Sequence, residues 1–208
     1  MPALVLVPAS PSDAEQLAPI QLEAWSQDVG FTTIFPKGAT PDTIQHTVAQ
    51  MEKDMDDMTQ HIMLVKDAMS GDIAAYAMWQ FIPQRGHDSV EREMLTDHFP
   101  LPKDANLEVG NRLIHNGVRK HHEVVTKHFG HGSPHAYLHA IATNPRYRRQ
   151  GAASMLMKWG IERADDLGLP CYIELRLVRR TSMSSMGLKW WNYSSLKFLP
   201  ATTTIISV

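Results

Sequence analysis

Between residues 136 and 174 the chain reads AYLHAIATNPRYRRQGAASMLMKWGIERADDLGLPCYIE, and the order of patterns in this stretch constrains the fold more than any other feature. Residues 137–142 form an apolar run of strand length. Thr143-Asn144-Pro145 breaks it, because Pro145 has no N–H and holds Asn144 extended. The turn Arg148-Arg149-Gln150-Gly151-Ala152-Ala153 follows. Met155, Leu156, Trp159, Ile161 and Ala164 then recur at helical spacing, with Lys158, Glu162, Arg163 and Asp166 on the other face. Gly168 and Pro170 end that helix, and Cys171 opens a second strand. Small residues in the turn let backbone N–H groups approach an anion, and the positive end of the helix points at the same place. That combination suits a pyrophosphate.

The rest of the chain supplies further elements in a regular order. Residues 4–7 read as a strand, and Ser10, Pro11, Ser12 and Asp13 supply capping chemistry for a helix to about Trp25. Residues 31–38 read as a loop, and Thr40-Pro41-Asp42 opens a helix to about Met58. Two strands, 61–66 and 73–82, flank a hairpin turn at Ser70-Gly71-Asp72. Residues 84–104 are polar and proline-rich and read as a loop, whereas 105–129 read as a helix.

These elements, with Arg148, Gly151 and Ala153 in a Gln/Arg-x-x-Gly-x-Gly/Ala pattern, resemble the cofactor core of the GCN5-related N-acetyltransferase (GNAT) family in its fungal-type form. The resemblance implies an α/β fold with a mixed, mostly antiparallel sheet flanked by helices. It implies acetyl-coenzyme A as co-substrate, held along Ile141, Ala142 and Thr143 with its pyrophosphate at Arg148, Arg149, Gln150, Gly151, Ala152 and Ala153. The implied reaction is direct attack of an amine, from a small molecule or a peptide, on the thioester. His139, on the strand before the turn, is a candidate general base, since imidazole titrates near neutral pH. An ordinary packing or hydrogen-bonding role is its competing reading. Alternation places Tyr137, His139, Ile141 and Thr143 on one face, and Trp79 and Gln80 are either acceptor-site residues or ordinary sheet residues.

Other chemistries fit less well. Seven histidines lie from His115 to His139; His135 and His139 have a ligand spacing, but they straddle a Pro-led strand rather than a helix, and no cysteine pair assists, so no metal is expected. Arg146, Arg148 and Arg149 form a short basic patch without aromatic stacking partners, and the formal charge is −2, so no nucleic-acid partner is expected. One cysteine, Cys171, excludes an intrachain disulfide and reads as a buried, inert thiol. No apolar run is long enough to span a bilayer and the start lacks signal-peptide features, so no membrane association and a cytoplasmic or nuclear setting are expected. Oligomeric state is not legible.

The expected organisation is an N-acetyltransferase domain over 1–174, with an insertion at about 83–134, and a divergent tail over 175–208. After Glu174 the family's Ala-Ser, Leu-Tyr and Gly-Phe elements are missing, and with them the tyrosine that serves in that family as general acid. Reading one base earlier turns Trp191-Asn192-Tyr193 into Val-Glu-Leu, and permitted codons upstream give EASPSAKNLYEFHGFKVVELL. The expectation is a frame slip after Glu174 that degrades the closing hairpin. A coenzyme A-binding remnant without catalysis is the alternative to an active enzyme.

Overall fold

The computed structural model describes residues 3–175 and 203–207. Strand β1 (Leu4–Pro8) leads to helices α1 (Ala14–Trp25), α2 (Val29–Ile34) and α3 (Pro41–Asp56). The hairpin β2 (Gln60–Asp67) and β3 (Ile73–Ile82) follows, then α4 (His87–Met94) and α5 (Leu107–Phe129). The chain continues through β4 (His135–Thr143), α6 (Ala152–Asp166), β5 (Cys171–Leu175) and β6 (Thr203–Ser207). These elements fall into two compact units, one of strands plus α6, the other spanning Ser10–Asp57 and Pro83–Pro134.

In the first unit the strands lie in chain order, β1 to β6. Pairing is antiparallel from β1 through β4, and parallel between β4 and β5 and between β5 and β6. The sheet is therefore mixed and mostly antiparallel, as the resemblance implies. Helix α6 links the two parallel strands, as a parallel connection requires. It buries Ala152, Leu156, Met157, Gly160 and Ala164 against Val65, Ala77, Trp79, Leu138 and Ile173. Met155, Trp159 and Ile161 are only partly buried, so the contact face is rotated from the one their spacing suggested. At the helix end, Leu169 N–H donates to the Ala164 carbonyl (2.9 Å) and Gly168 N–H to that of Asp165 (3.0 Å), a Schellman pair that turns the chain into β5.

The second unit is helical. Leu17, Ala18 and Leu22 of α1 are buried, as are Thr43, Thr47 and Met51 of α3, and the two helices pack together. Two short helices replace predicted loops. Asp28 caps α2 by accepting from the Phe31 N–H at 2.8 Å, which holds a turn that VGFTTI would not keep alone. Helix α4 docks on α5 through buried Val90 and through Glu93, which sits 3.3 Å from His122 Nε2 and 2.5 Å from Arg85.

The expectations for the tail, the frame slip among them, fall mainly on 176–202 and lie outside the described residues. Thr203–Ser207 forms a strand that the sequence reading did not assign. Among the described residues no helix is long and apolar enough to cross a membrane.

Candidate functional site

Strand β4 carries an irregularity at its centre. Ile141 pairs with Ala77 and Ala140 with Met78, but the next pair is Leu138 with Trp79, so the ladder skips His139. Two residues of β4 thus stand opposite one step of β3, the arrangement of a β-bulge. A bulge reverses which side chains face which way beyond it. Leu138 packs against α6 on one side of the bulge, and Ile141 packs against the same core on the other. The predicted common face of Tyr137, His139, Ile141 and Thr143 is accordingly broken. Thr143 is in register with core residue Ala75 and goes with Ile141. Tyr137 and His139 remain together, their rings 5.8 Å apart and nearly perpendicular, and Tyr137 stacks on Tyr172 of β5 at 5.1 Å. His139 is exposed and Tyr172 fully buried.

The bulge coincides with a parting of strands. Pairing of β4 with β5 runs only from Ala136–Cys171 to Leu138–Ile173. Strand β5 runs on to Leu175 beyond the end of that ladder, while its other edge pairs with β6 along its whole length, from Cys171–Thr203 to Leu175–Ser207. Among the described residues, 140–143 therefore have a strand neighbour on the β3 side alone. Backbone N–H and C=O groups left on such an edge are available to a ligand. Ile141, Ala142 and Thr143 all lie on this stretch.

The turn that follows is fastened to the hairpin. Asn144 N–H donates to the Ala74 carbonyl (2.9 Å), and its side-chain amide to that of Ile73 (3.3 Å). Its Oδ1 accepts from the Arg146 N–H at 3.1 Å. Buried Tyr147 donates toward Asp72 (3.2 Å) and Asp67 (3.4 Å), carboxylates at the two sides of the β2–β3 turn. Beyond this anchor, Arg148, Arg149, Gln150 and Gly151 are exposed. Arg149 has φ 63° and Gly151 φ 88°, left-handed values that glycine adopts without strain and arginine does not.

Gly151 is the N-cap of α6 and offers no side chain to the helix's first N–H groups. The first helical bond is Met155 N–H to the Gly151 carbonyl (3.1 Å), so the donors of 152–154 precede the ladder. Among the described residues, a Cβ at Gly151 would meet no atom within 4 Å, which leaves open space above an uncapped, positively polarised helix end. Among the described residues neither Arg148 nor Arg149 is in an ion pair. An anionic group fits here by charge, donor supply and room. These residues could hold the pyrophosphate of acetyl-coenzyme A, with the pantetheine arm along 141–143.

Other candidates fall elsewhere. Trp79 is fully buried against α6, and Gln80 is half-buried with its amide 3.3 Å from Thr59 Oγ1. Burial, and then Asp165, push the Cys171 thiol up to about 12, so it is no nucleophile. Burial raises the Tyr76 hydroxyl far above its ordinary value. His61 is lowered by burial and then by Arg163, and lies among Phe81 and Trp159 on the α6 side. Among the described residues no three His, Cys, Asp or Glu side chains are grouped to hold a metal ion. Sequence reasoning missed the bulge and Tyr172. No signal marks the bulge, whereas Tyr172 follows from registering two parallel strands.

Comparison with known proteins bears on the fold. The family model of the acetyltransferase (GNAT) family matches residues 115–188. An aminoglycoside antibiotic 6'-N-acetyltransferase from Acinetobacter baumannii superposes with a TM-score of 0.54 at 12% identity, over 95% of this chain and 97% of that one. The fold is that of the GNAT acetyltransferases. A mosquito arylalkylamine N-acetyltransferase-like protein gives 0.54 at 15% identity, over 81% of this chain and 74% of its own. A predicted acetyltransferase with acetyl-CoA from Clostridium acetobutylicum gives 0.52 at 12% identity, over 95% and 96%. No curated protein matches the chain by sequence. In this GNAT fold the β4–β5 parting and the uncapped start of α6 are contiguous in sequence, joined by the Asn144–Tyr147 anchor.

Proposed function

We propose that the chain is an N-acetyltransferase that moves an acetyl group from acetyl-coenzyme A to an amine. The observation that carries this reading is the conjunction of an open β4 edge at 140–143 with an uncapped helix whose first turn follows Arg148, Arg149 and left-handed Gly151. Arg148, Arg149 and the N–H groups of 151–153 would bind the pyrophosphate, and the β4 edge would align the pantetheine amides. Acetyl-coenzyme A supplies an activated thioester. His139, exposed at the bulge, would accept the ammonium proton of the acceptor directly or through water, which frees the nitrogen lone pair for attack on the carbonyl carbon. The C–N bond forms as the C–S bond breaks, and the thiolate leaves to be protonated from solvent. Backbone N–H groups on the open edge of residues 140–143 would polarise the carbonyl oxygen. The acceptor is a small-molecule or peptide amine. A reducing cytoplasmic or nuclear compartment suits a chain whose lone cysteine is a buried free thiol.

Coenzyme A binding to the folded state alone stabilises it by about 2.7 kcal/mol at one hundred times the dissociation constant. For a chain of this size that is a rise in Tm of roughly 5–10 °C. Gly151→Ala tests the left-handed backbone, and Gly151→Asp adds a carboxylate where the diphosphate would sit. Calorimetric melts with and without coenzyme A should show a reduced rise for the first and none for the second. No rise in the unsubstituted chain at millimolar coenzyme A sinks the assignment. A full rise without thiol release over a panel of amines selects the coenzyme A-binding remnant.

A further inference from the structure

Tyr147 stands immediately before the exposed turn, and the steps of acetyl transfer leave its hydroxyl unused. The turn bridges two buried pins, Tyr147 at 9% exposure and Ala152 at 1%, across the four exposed residues 148–151. Within that span Arg149 is left-handed at φ 63°, a conformation that a residue with a Cβ keeps only where its surroundings hold it. The Arg148 N–H reaches the Pro145 carbonyl at 3.4 Å, the long end for such a bond. The ring of Tyr147 packs in the core beside α6, which a phenylalanine would do as well. What the hydroxyl adds is a tie to the β2–β3 turn, at 3.2 Å from Asp72 Oδ2 and 3.4 Å from Asp67 Oδ2. That turn fixes both carboxylates. Asp67 N–H donates to the Asp72 carbonyl (2.9 Å), Gly71 N–H to the Asp67 carbonyl (2.8 Å) and Met69 N–H to Asp67 Oδ1 (3.0 Å). A hydroxyl has one proton and donates to one carboxylate at a time, and either acceptor makes the bond charge-assisted.

We infer that Tyr147 is a positioning residue for coenzyme A: its O–H, held by Asp67 and Asp72, keeps Arg149 left-handed and the N–H groups of 151–153 preset for the pyrophosphate. This inference rests on the cofactor reading above. A preset turn gives up little conformational freedom on binding, whereas an untied one must be ordered by the ligand. The two carboxylates give the inference a sign of its own. As bare charges beside a basic turn they would repel a diphosphate, and their removal would tighten binding. As the holders of Tyr147 they favour it, and their removal weakens binding.

The test is titration calorimetry of coenzyme A into the full chain, for the parent, Tyr147→Phe, the double variant Asp67→Ala/Asp72→Ala, and the triple variant. Tyr147→Phe keeps the buried ring and removes only the hydroxyl. It should raise Kd about three- to tenfold, the effect of one hydrogen bond. The aspartate variant should weaken binding by a similar factor, and the triple variant no more than either, because all three side chains act through one tie. In the free protein the amide NMR resonances of Arg149 and Gly151 should shift in Tyr147→Phe and move back toward the parent's bound positions when coenzyme A saturates it. A hydroxyl that only stabilised the fold would lower Tm and leave both Kd and those resonances alone. An unchanged Kd in Tyr147→Phe, tighter binding by the aspartate variant, or additive losses in the triple variant overturns the inference and leaves the cofactor reading standing. No binding by the parent overturns both.

Discussion

Helix α6 reaches the sheet over Gly160, and a single methyl group there tests how the first unit is packed. A Cβ at this position would fall inside the van der Waals shells of Cε2, Cζ2 and Nε1 of Trp79, all atoms of one rigid ring. Trp79 is fully buried and stacks near Phe81, with centroids 6.4 Å apart, so the indole has little room to retreat. Intrinsic propensity argues the other way, because alanine is about 1 kcal/mol better than glycine inside a helix. Overpacking a well-filled core costs typically about 1–3 kcal/mol, and a clash with three atoms of a fixed ring belongs at the upper end. The net expectation for Gly160→Ala is a loss of about 1–2 kcal/mol, a fall in Tm of roughly 2–8 °C. Trp79→Phe removes the obstructing indole atoms and also an N–H that, among the described residues, is buried without a hydrogen-bond partner, so its own cost is a cavity offset by the loss of that unsatisfied donor. In the double variant the alanine methyl occupies the space vacated. Denaturant and thermal unfolding of both single variants and the double should show the double at least about 1 kcal/mol more stable than the sum of its parts. A Gly160→Ala protein as stable as the parent, or strict additivity, would refute the packing argument.

Two further outcomes follow from titratable groups. Hydrogen bonding to His122 is the largest cause that lowers Glu93, with Arg85 also contributing against a burial effect of opposite sign. A depressed carboxylate stabilises the fold above its unfolded value of 4.5 and loses that contribution as pH falls through the lower folded value, so the Tm difference between the parent and Glu93→Gln should be largest near neutral pH and shrink below about pH 4. The Cys171 thiol, pushed up to about 12 by burial, should resist an aromatic disulfide reagent at pH 8 until denaturant is added, and rapid labelling of the native protein would contradict its place in the core.

Much of the sheet was legible because its periodicity and its turn chemistry agree. The bounds 73–82 of β3 follow from an apolar run broken only by Gln80, and α6 from amphipathic spacing closed by Gly168 and Pro170. Short helices were not legible. Helix α4 buries only Val90 in HDSVEREM, and the contact of Glu93 with His122 of α5, far off in sequence, leaves no mark on the segment itself. The start of α6 was legible because Gly151 and the alanines after it mark a turn into a helix. The bulge at His139 was not, since it arises from the pairing of two strands and leaves no mark on either alone. It alters which side chains His139 shares a face with, and so changes the candidate site more than any misplaced boundary.

Strand β3 and its partner β4 are neighbours in the sheet but are separated in the chain by the whole of Pro83–Pro134. A ribosome adding roughly 5–20 residues per second leaves β3 without that partner for several seconds. Nine of the ten residues of β3 are buried in the finished fold, so the waiting strand is an adhesive apolar edge. The hairpin with β2 covers one side of it, and the other stays open until the later segment emerges. Synthesis order therefore exposes this strand to chaperones and to self-association before the fold is complete.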